Sequence, residues 1–226
     1  MMKAAILVIS CLMLCACAST QNLAVSPDVL QAMQGKSLVL IQRESPDFVA
    51  MTSGKGMFAV AGVGAAVSAG NEMVRENDIV DPAMGISRRL ARSLTSDYGA
   101  TLLGETAAAE SDSVAALAEM AGSGDYALDV VTNGWSYMYD GFNFSDYFVG
   151  YSSKLRLIDV RTAQVVASGF CAYDAKKAGK SAVSHETLLA DGAAYIKQEL
   201  ADAASGCATE FAVNVFSAHS VARHTP

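Results

Sequence analysis

The clearest structural signal in this chain is the run Leu157-Ile158-Asp159-Val160-Arg161-Thr162-Ala163-Gln164-Val165-Val166-Ala167-Ser168-Gly169. Two arms rich in β-branched residues flank a tight turn at 161–163, a pattern typical of a β-hairpin. Upstream, apolar and basic side chains alternate, with Val149, Tyr151, Leu155 and Leu157 on one face and Lys154 and Arg156 on the other. This alternation predicts a strand with one buried face, and residues 164–173 are the predicted return strand.

Helical signals lie on both sides of this hairpin. Asp81-Pro82 is a good start for a helix, and Gly99 is a natural stop after an apolar stripe at every fourth residue. A second long helix is predicted over 186–204, and further strands over 37–41 and 126–133. We therefore expect an α/β fold, tending to α+β, with a single mixed β-sheet flanked by helices.

Residues 57–69 form an apolar run without any charge. Its small residues fall into two helical rows, one of Ala61, Ala65 and Ala69, the other of Gly62, Ala66 and Gly70. Such rows allow close helix packing, and the run is too short to span a bilayer alone. Two interpretations remain open: a buried helix packed on the sheet, and a membrane-inserting or oligomer-forming helix. For the buried helix we expect close packing at Ala65.

The amino terminus has the pattern of a secretory signal: Lys3, an apolar run, then Leu14-Cys15-Ala16-Cys17. These last four residues resemble the lipobox of bacterial lipoproteins, although Cys15 departs from the usual residue. The resemblance implies a diacylglyceryl thioether on Cys17, cleavage before it, and acylation (palmitate) of the new amino terminus. Ala18, which is not Asp, implies sorting to the outer membrane, at its periplasmic face. The alternative is an ordinary signal peptide.

The predicted organisation has four parts: a signal peptide over 1–16, a lipidated tether over 17–34, one domain over 35–216 and a flexible tail over 217–226. Cleavage leaves three cysteines, Cys17, Cys171 and Cys207. If Cys17 is lipidated, an even pair remains in an oxidising compartment, which favours a Cys171–Cys207 disulfide. Two buried free thiols are the alternative.

Composition argues against several classes of function. The net charge is −7 and no basic run exists, so we expect no nucleic-acid partner. The spacing of Cys and His fits no metal site. Of the three histidines, His219 and His224 lie in the predicted tail, and His185 begins a helix. No catalytic residues, metal or cofactor are therefore predicted, and we expect that the protein is not an enzyme.

Aromatic residues are concentrated around Asp140-Gly141, a turn signal between two strand-like arms. Such rings pair across hairpins, so they could simply be core residues. They could also form a partner-binding surface, because Tyr and Trp often dominate interfaces. The candidate partner-binding residues are Trp135, Tyr137, Tyr139, Phe142 and Phe144.

The order of predicted elements, together with the Leu157–Gly169 hairpin and the lipobox, resembles small bacterial lipoproteins of the curli-secretion-channel and TolB amino-terminal-domain type. Ala163 stands where such hairpins usually have Gly. The resemblance implies a non-enzymatic envelope component that assembles with a protein partner or as a homo-oligomer, an assembly or transport accessory held to the membrane by its lipid anchor. A binding module for a small envelope ligand and a hydrolase with an unrecognised site are the alternatives.

Overall fold

A computed structural model describes residues 22–57, 59–141 and 143–217, without the side chains of Ala59 and Val60. It confirms the predicted class, because a mixed seven-stranded sheet is flanked by helices. The helices are α1 (Pro27–Ala32), α2 (Ser53–Gly56), α3 (Ala59–Glu76), α4 (Pro82–Tyr98), α5 (Val114–Ala121) and α6 (His185–Asn214). The strands are β1 (Ser37–Arg43), β2 (Phe48–Met51), β3 (Thr101–Ala109), β4 (Tyr126–Asp140), β5 (Asn143–Asp159), β6 (Gln164–Asp174) and β7 (Val183–Ser184).

The strand order is β3-β1-β4-β5-β6, with β2 paired to the far half of β4 and β7 to β5. The β1, β2 and β3 pairings are parallel, whereas β4–β5 and β5–β6 are antiparallel. The hairpin predicted around residues 161–163 is confirmed as β5–β6. The longest pair, β4–β5, extends past the other strands and ends in a turn at Asp140 and Asn143.

One face of the sheet carries the main core. Ile86, Leu90 and Leu94 of α4 are buried against it, as their spacing predicted. The predicted ends of α4 are also confirmed: the Asp81 carboxylate accepts from the Ala83 N–H at 2.8 Å, and Gly99 adopts φ 70°. These caps fix α4 across β1 and β4.

The other face of the sheet is covered over only part of its area. α5 packs there through Leu117, Ala118 and Ala121 against Val39 and Ile158. Towards the hairpin turn the face is open, and Met138 is 54% exposed. On this face of the sheet, α5 therefore covers one end of β4, and the end near the hairpin turn is uncovered.

The helix predicted in residues 57–69 is present as α3 and packs on α2 and β2, but through the second row of small residues. A Cβ at Gly62 would overlap the Lys55 carbonyl oxygen, and one at Gly70 would overlap that of Phe48. Ala66 is buried between them, whereas Ala65 is exposed, so the expected close packing at Ala65 was wrong. Among the described residues, no helix has both the length and the apolar character needed to cross a bilayer.

Residues 22–34 are packed into the fold, although we expected them to belong to a tether. Leu23 forms a bridge with Ser168, and Val25, Leu30 and Met33 are buried in the main core. The folded unit therefore begins before residue 35, because α1 supplies apolar side chains that complete the core. The signal peptide, Cys17 and the tail beyond Ser217 lie outside the described residues.

The last helix also differs from its prediction. α6 continues ten residues past the predicted end at 204, and residues 190–193 inside it have non-helical dihedrals. Asp191, Gly192 and Ala193 have φ values of 52°, 65° and 58°. This left-handed turn shifts the phase of the helix, so Leu188 is buried while Leu189 is 39% exposed.

Candidate functional site at the tip of the aromatic hairpin

Two of the five candidate partner-binding residues are core residues. Trp135 and Tyr137 are each 3% exposed and point to the helix-covered face. The Trp135 indole N–H donates to the Pro46 carbonyl at 2.8 Å, and its ring meets Phe48 edge-on at 5.2 Å. These two rings hold β2 against β4 and are not available to a partner, so the proposal that they bind one was wrong.

Tyr137 joins the hairpin to the start of α6. Its hydroxyl lies 3.1 Å from Nε2 of His185, and both side chains contact the Tyr147 ring. Burial, reinforced by Tyr147, raises the pKa of Tyr137 to about 12. Burial, and then the charge of Lys55, lower the pKa of His185. The pair therefore favours neutral side chains, as expected for a packing contact.

The remaining described candidates lie at the turn. The rings of Tyr139 and Phe144 are 5.5 Å apart, and Phe144 is 59% exposed. Tyr139 lies over Gly56, where an added Cβ would come within 2.8 Å of the phenolic oxygen. Met57 follows directly and is 83% exposed. We call Met57, Tyr139 and Phe144 the tip patch; Phe142, the fifth candidate, lies outside the described residues.

Sequence reasoning missed Met57 as part of this surface. It was assigned to the beginning of a helix, whereas the structure ends α2 at Gly56 and places Met57 after it. The two glycines Gly54 and Gly56 were the available signal, since they favour a chain break just before the apolar residue. The close approach of the neighbouring Gly56 to Tyr139 is long-range and cannot be inferred from spacing.

The open face of the sheet forms a trough of about 690 Å³ next to the tip patch. Gly134 and Gly150 make its floor flat, and Met138, Phe148 and Lys177 lie around it. Apolar walls with a few polar groups are typical of small-molecule sites. Among residues 22–57, 59–141 and 143–217, no group of three His, Cys, Asp or Glu side chains could hold a metal ion.

Cys171 and Cys207 are joined by a disulfide, as predicted, with their Cα atoms 5.5 Å apart. The bond connects β6 to α6, and both cysteines are buried. Cys17, the third cysteine that the predicted cleavage would leave, lies outside the described residues, so its lipidation stays a prediction.

No protein-family model and no curated protein matches the chain. Solved structures do match, all at low identity. PelC from Paraburkholderia phytofirmans, a dodecamer, is 12% identical over 81% of this chain and 94% of its own, with a TM-score of 0.36. A protein from Xanthomonas campestris is 13% identical over 84% and 91%, with a TM-score of 0.41.

Lipoprotein GNA1162 from Neisseria meningitidis is 17% identical over 79% of this chain and 99% of its own, with a TM-score of 0.26. These neighbours are bacterial proteins and include a lipoprotein. Similarity at this level does not extend to function. The resemblance to curli-secretion and TolB-type domains stays a prediction.

Proposed function

We propose that this chain is an outer-membrane lipoprotein, anchored through Cys17 at the periplasmic face, that acts without catalysis as an envelope assembly or transport accessory. It does so by binding a protein partner, or a second copy of itself, through the tip patch. The observation that carries the proposal is the exposure of Phe144 and Met57 at the end of a long hairpin.

Large apolar side chains at a protruding turn are costly in water unless a partner covers them. Aromatic side chains in such positions commonly supply most of the binding free energy of an interface. In this chain the support behind the patch is rigid, because Tyr139 rests on Gly56 and Tyr137 is fixed by His185. A surface held in place before binding loses little conformational freedom on binding, which favours affinity.

The partner-binding part is tested by placing a photo-crosslinking amino acid at position 144 in intact cells. Val80, which is 79% exposed, is the matched control position. We expect a discrete crosslinked partner from position 144 and none from position 80. Identical adducts from both positions would argue against a specific surface.

The variant Met57→Ala/Phe144→Ala tests the energetic role of the patch. Loss of a hot spot costs about 2 kcal/mol, so affinity for the captured partner should fall about thirtyfold. Val80→Ala removes an equally exposed apolar side chain elsewhere and should leave affinity unchanged. If the double variant lowers the melting temperature and leaves affinity intact, the patch has a structural role only.

The anchor is tested by metabolic acyl labelling of the wild type and of Cys17→Ala. Two or more acyl chains hold a protein firmly on a membrane, whereas one gives only marginal binding. We expect the label and resistance to salt washing in the wild type only. Equal labelling of Cys17→Ala would place the acyl chains elsewhere.

A further inference from the structure

The amino-terminal segment enters the fold at one defined place. Leu23 N–H donates to the Ser168 carbonyl at 2.8 Å, and Ser168 N–H donates back at 2.9 Å. Two residues on, Val25 N–H donates to the Val215 carbonyl at 2.9 Å. The chain is therefore fixed at the free edge of β6 and at the carboxyl end of α6.

This place restricts how the domain can sit on a membrane, given the lipid anchor at Cys17 that is part of the proposed function. The residues between Cys17 and Asn22 reach about 18 Å when fully extended. A domain of this size has a radius of gyration of about 16 Å. The tether is thus too short for the domain to turn freely, and the surface near Leu23 and Val215 stays at the lipid.

A basic groove lies between α4 and α6, the helix whose carboxyl end holds the amino-terminal segment. It has a volume of about 480 Å³ and is lined by Arg89 and Arg92, by hydroxyl side chains of both helices, and by Val213. Val213 is 49% exposed and lies two residues before Val215, which holds the amino-terminal segment. The end of the groove at Val213 is therefore two residues along the chain from the contact that holds the tether.

The two arginines carry charge that the described part of the chain does not neutralise. Arg89 and Arg92 are exposed, lie one helical turn apart and form no salt bridge with any described residue, whereas the adjacent Arg88 pairs with Glu105 at 2.6 Å. The residues that line the groove include no carboxylate. Asp97 lies nearby, where it accepts a hydrogen bond from the Ser96 hydroxyl at 2.6 Å.

We propose that the groove between α4 and α6 binds the phosphate of anionic phospholipids in the membrane that carries the anchor. Guanidinium groups bind phosphate oxygens in a bidentate manner, and the Ser93 hydroxyl can donate to the same group. Val213 then faces the glycerol and the upper acyl chain. The net charge of the chain is negative, so the attraction is local to the groove and the anchor supplies the proximity.

The resulting orientation places the tip patch away from the lipid. Ser168 pairs with Arg156 on β5, whereas the hairpin turn at Asn143 lies thirteen residues further along the same strand, about 43 Å at the usual rise of a strand. The proposed partner surface and the proposed lipid surface are thus at opposite ends of the sheet.

The test uses the mature chain, residues 17–226, coupled through Cys17 to a maleimide phospholipid in preformed vesicles. With the other two cysteines in a disulfide, Cys17 is the free thiol for coupling. Arginine modification by phenylglyoxal is followed by mass spectrometry in phosphatidylcholine vesicles with and without phosphatidylglycerol. Each basic residue near an anionic surface strengthens binding to that surface about fivefold. Binding through two arginines should therefore slow modification of Arg89 and Arg92 about thirtyfold when phosphatidylglycerol is present.

Arg75, exposed at the end of α3, is the internal control and should react equally in all vesicles. The proposal fails if phosphatidylglycerol slows the modification of Arg89 and Arg92 no more than that of Arg75. Because coupling is chemical, this result leaves lipidation in cells and the tip patch untouched. Conversely, failure of acyl labelling in cells does not alter the vesicle result.

In a second measurement, dihexanoylphosphatidylglycerol is added to the same chain in solution, below the concentration at which this lipid forms micelles. Binding is observed through the NMR chemical shifts of the backbone amides. We expect saturable shifts at residues 89–96 and 205–213, their loss in Arg89→Gln/Arg92→Gln, and their retention in Arg75→Gln. Dihexanoylphosphatidylcholine should have no effect. If inorganic phosphate gives the same shifts and the vesicles give no protection, the groove is a site for free anions and the lipid proposal fails.

Discussion

Arg156 donates two hydrogen bonds to one oxygen of Asp129, from Nε at 2.9 Å and from Nη2 at 2.5 Å. The Asp129 side chain has no exposed surface, and its other oxygen, 3.7 Å from Nε of Arg43, accepts no hydrogen bond from the described residues. Asp112, which is 83% exposed, contacts both arginines from the solvent side. Two arginines thus compensate one buried carboxylate at the margin of α5.

We expect Asp129→Ala to destabilise the fold by about 3–5 kcal/mol, because it leaves two partly buried guanidinium groups without their partner. Asp112→Ala removes an exposed carboxylate from the same cluster and should cost no more than about 1 kcal/mol. Urea unfolding of both variants measures the difference. Comparable losses in the two variants would mean that burial does not control this cluster.

Gly62→Ala and Gly70→Ala should each lower stability by about 1–3 kcal/mol, because the new methyl group overlaps a backbone carbonyl and forces α3 away from α2 at Gly62 and from β2 at Gly70. Gly64→Ala, on the open side of the same helix, should instead raise stability by about 0.5–1 kcal/mol, since Ala is the better helix former. The melting temperatures of the three variants, compared with that of the wild type, test these expectations. A uniform rise in all three would show that α3 does not pack through this row.

Reduction of the Cys171–Cys207 disulfide should cost about 3–4 kcal/mol, as expected for a link between cysteines 36 residues apart. The measurement is urea unfolding with and without a reductant. Cys171→Ala/Cys207→Ala is the control, because a reductant should not change its stability. An equal midpoint for the oxidised and reduced wild type would contradict the expectation.

Acidification should destabilise the fold through His185. Its pKa is lowered in the folded state, so the unfolded chain takes up a proton first as the pH falls below about 6.5, and folding stability declines from there towards the lower folded pKa. Above this range His185 is neutral in both the folded and the unfolded chain, and its contribution to folding stability is fully present. His185→Gln cannot titrate and should lose less stability between pH 7.5 and pH 5.

The difference between the two pH profiles isolates His185, because His219 and His224 are present in both proteins. The free energy of unfolding in urea at several pH values provides the measurement. Parallel profiles for the wild type and His185→Gln would show that burial of this ring does not affect its protonation.

The local features of the fold could be predicted from the sequence because they depend on neighbouring residues. Asp81, Pro82 and Gly99 mark the ends of α4, and alternation around the turn at 161–163 marks the β5–β6 hairpin. The pairing of Cys171 with Cys207 followed from counting cysteines, and the structure confirms it.

Features that depend on distant contacts could not be predicted. Trp135, Tyr137 and Tyr139 alternate along β4 and so share one face, but whether helices cover that face at the hairpin depends on β2 and α6. The sequence showed two rows of small residues in α3, and the expectation at Ala65 chose the wrong row because the positions of Lys55 and Phe48 were not known. The left-handed turn at Asp191 has no local sequence signal beyond Gly192.

The entry of the amino-terminal segment also determines how the domain responds to mechanical force. A pull on an anchored amino terminus loads the Leu23–Ser168 and Val25–Val215 hydrogen bonds first, and so passes into β6 and α6 together. The disulfide joins these two elements covalently, between Cys171 and Cys207. If Cys17 carries the proposed anchor, the disulfide opposes separation of the edge strand from the last helix under tension.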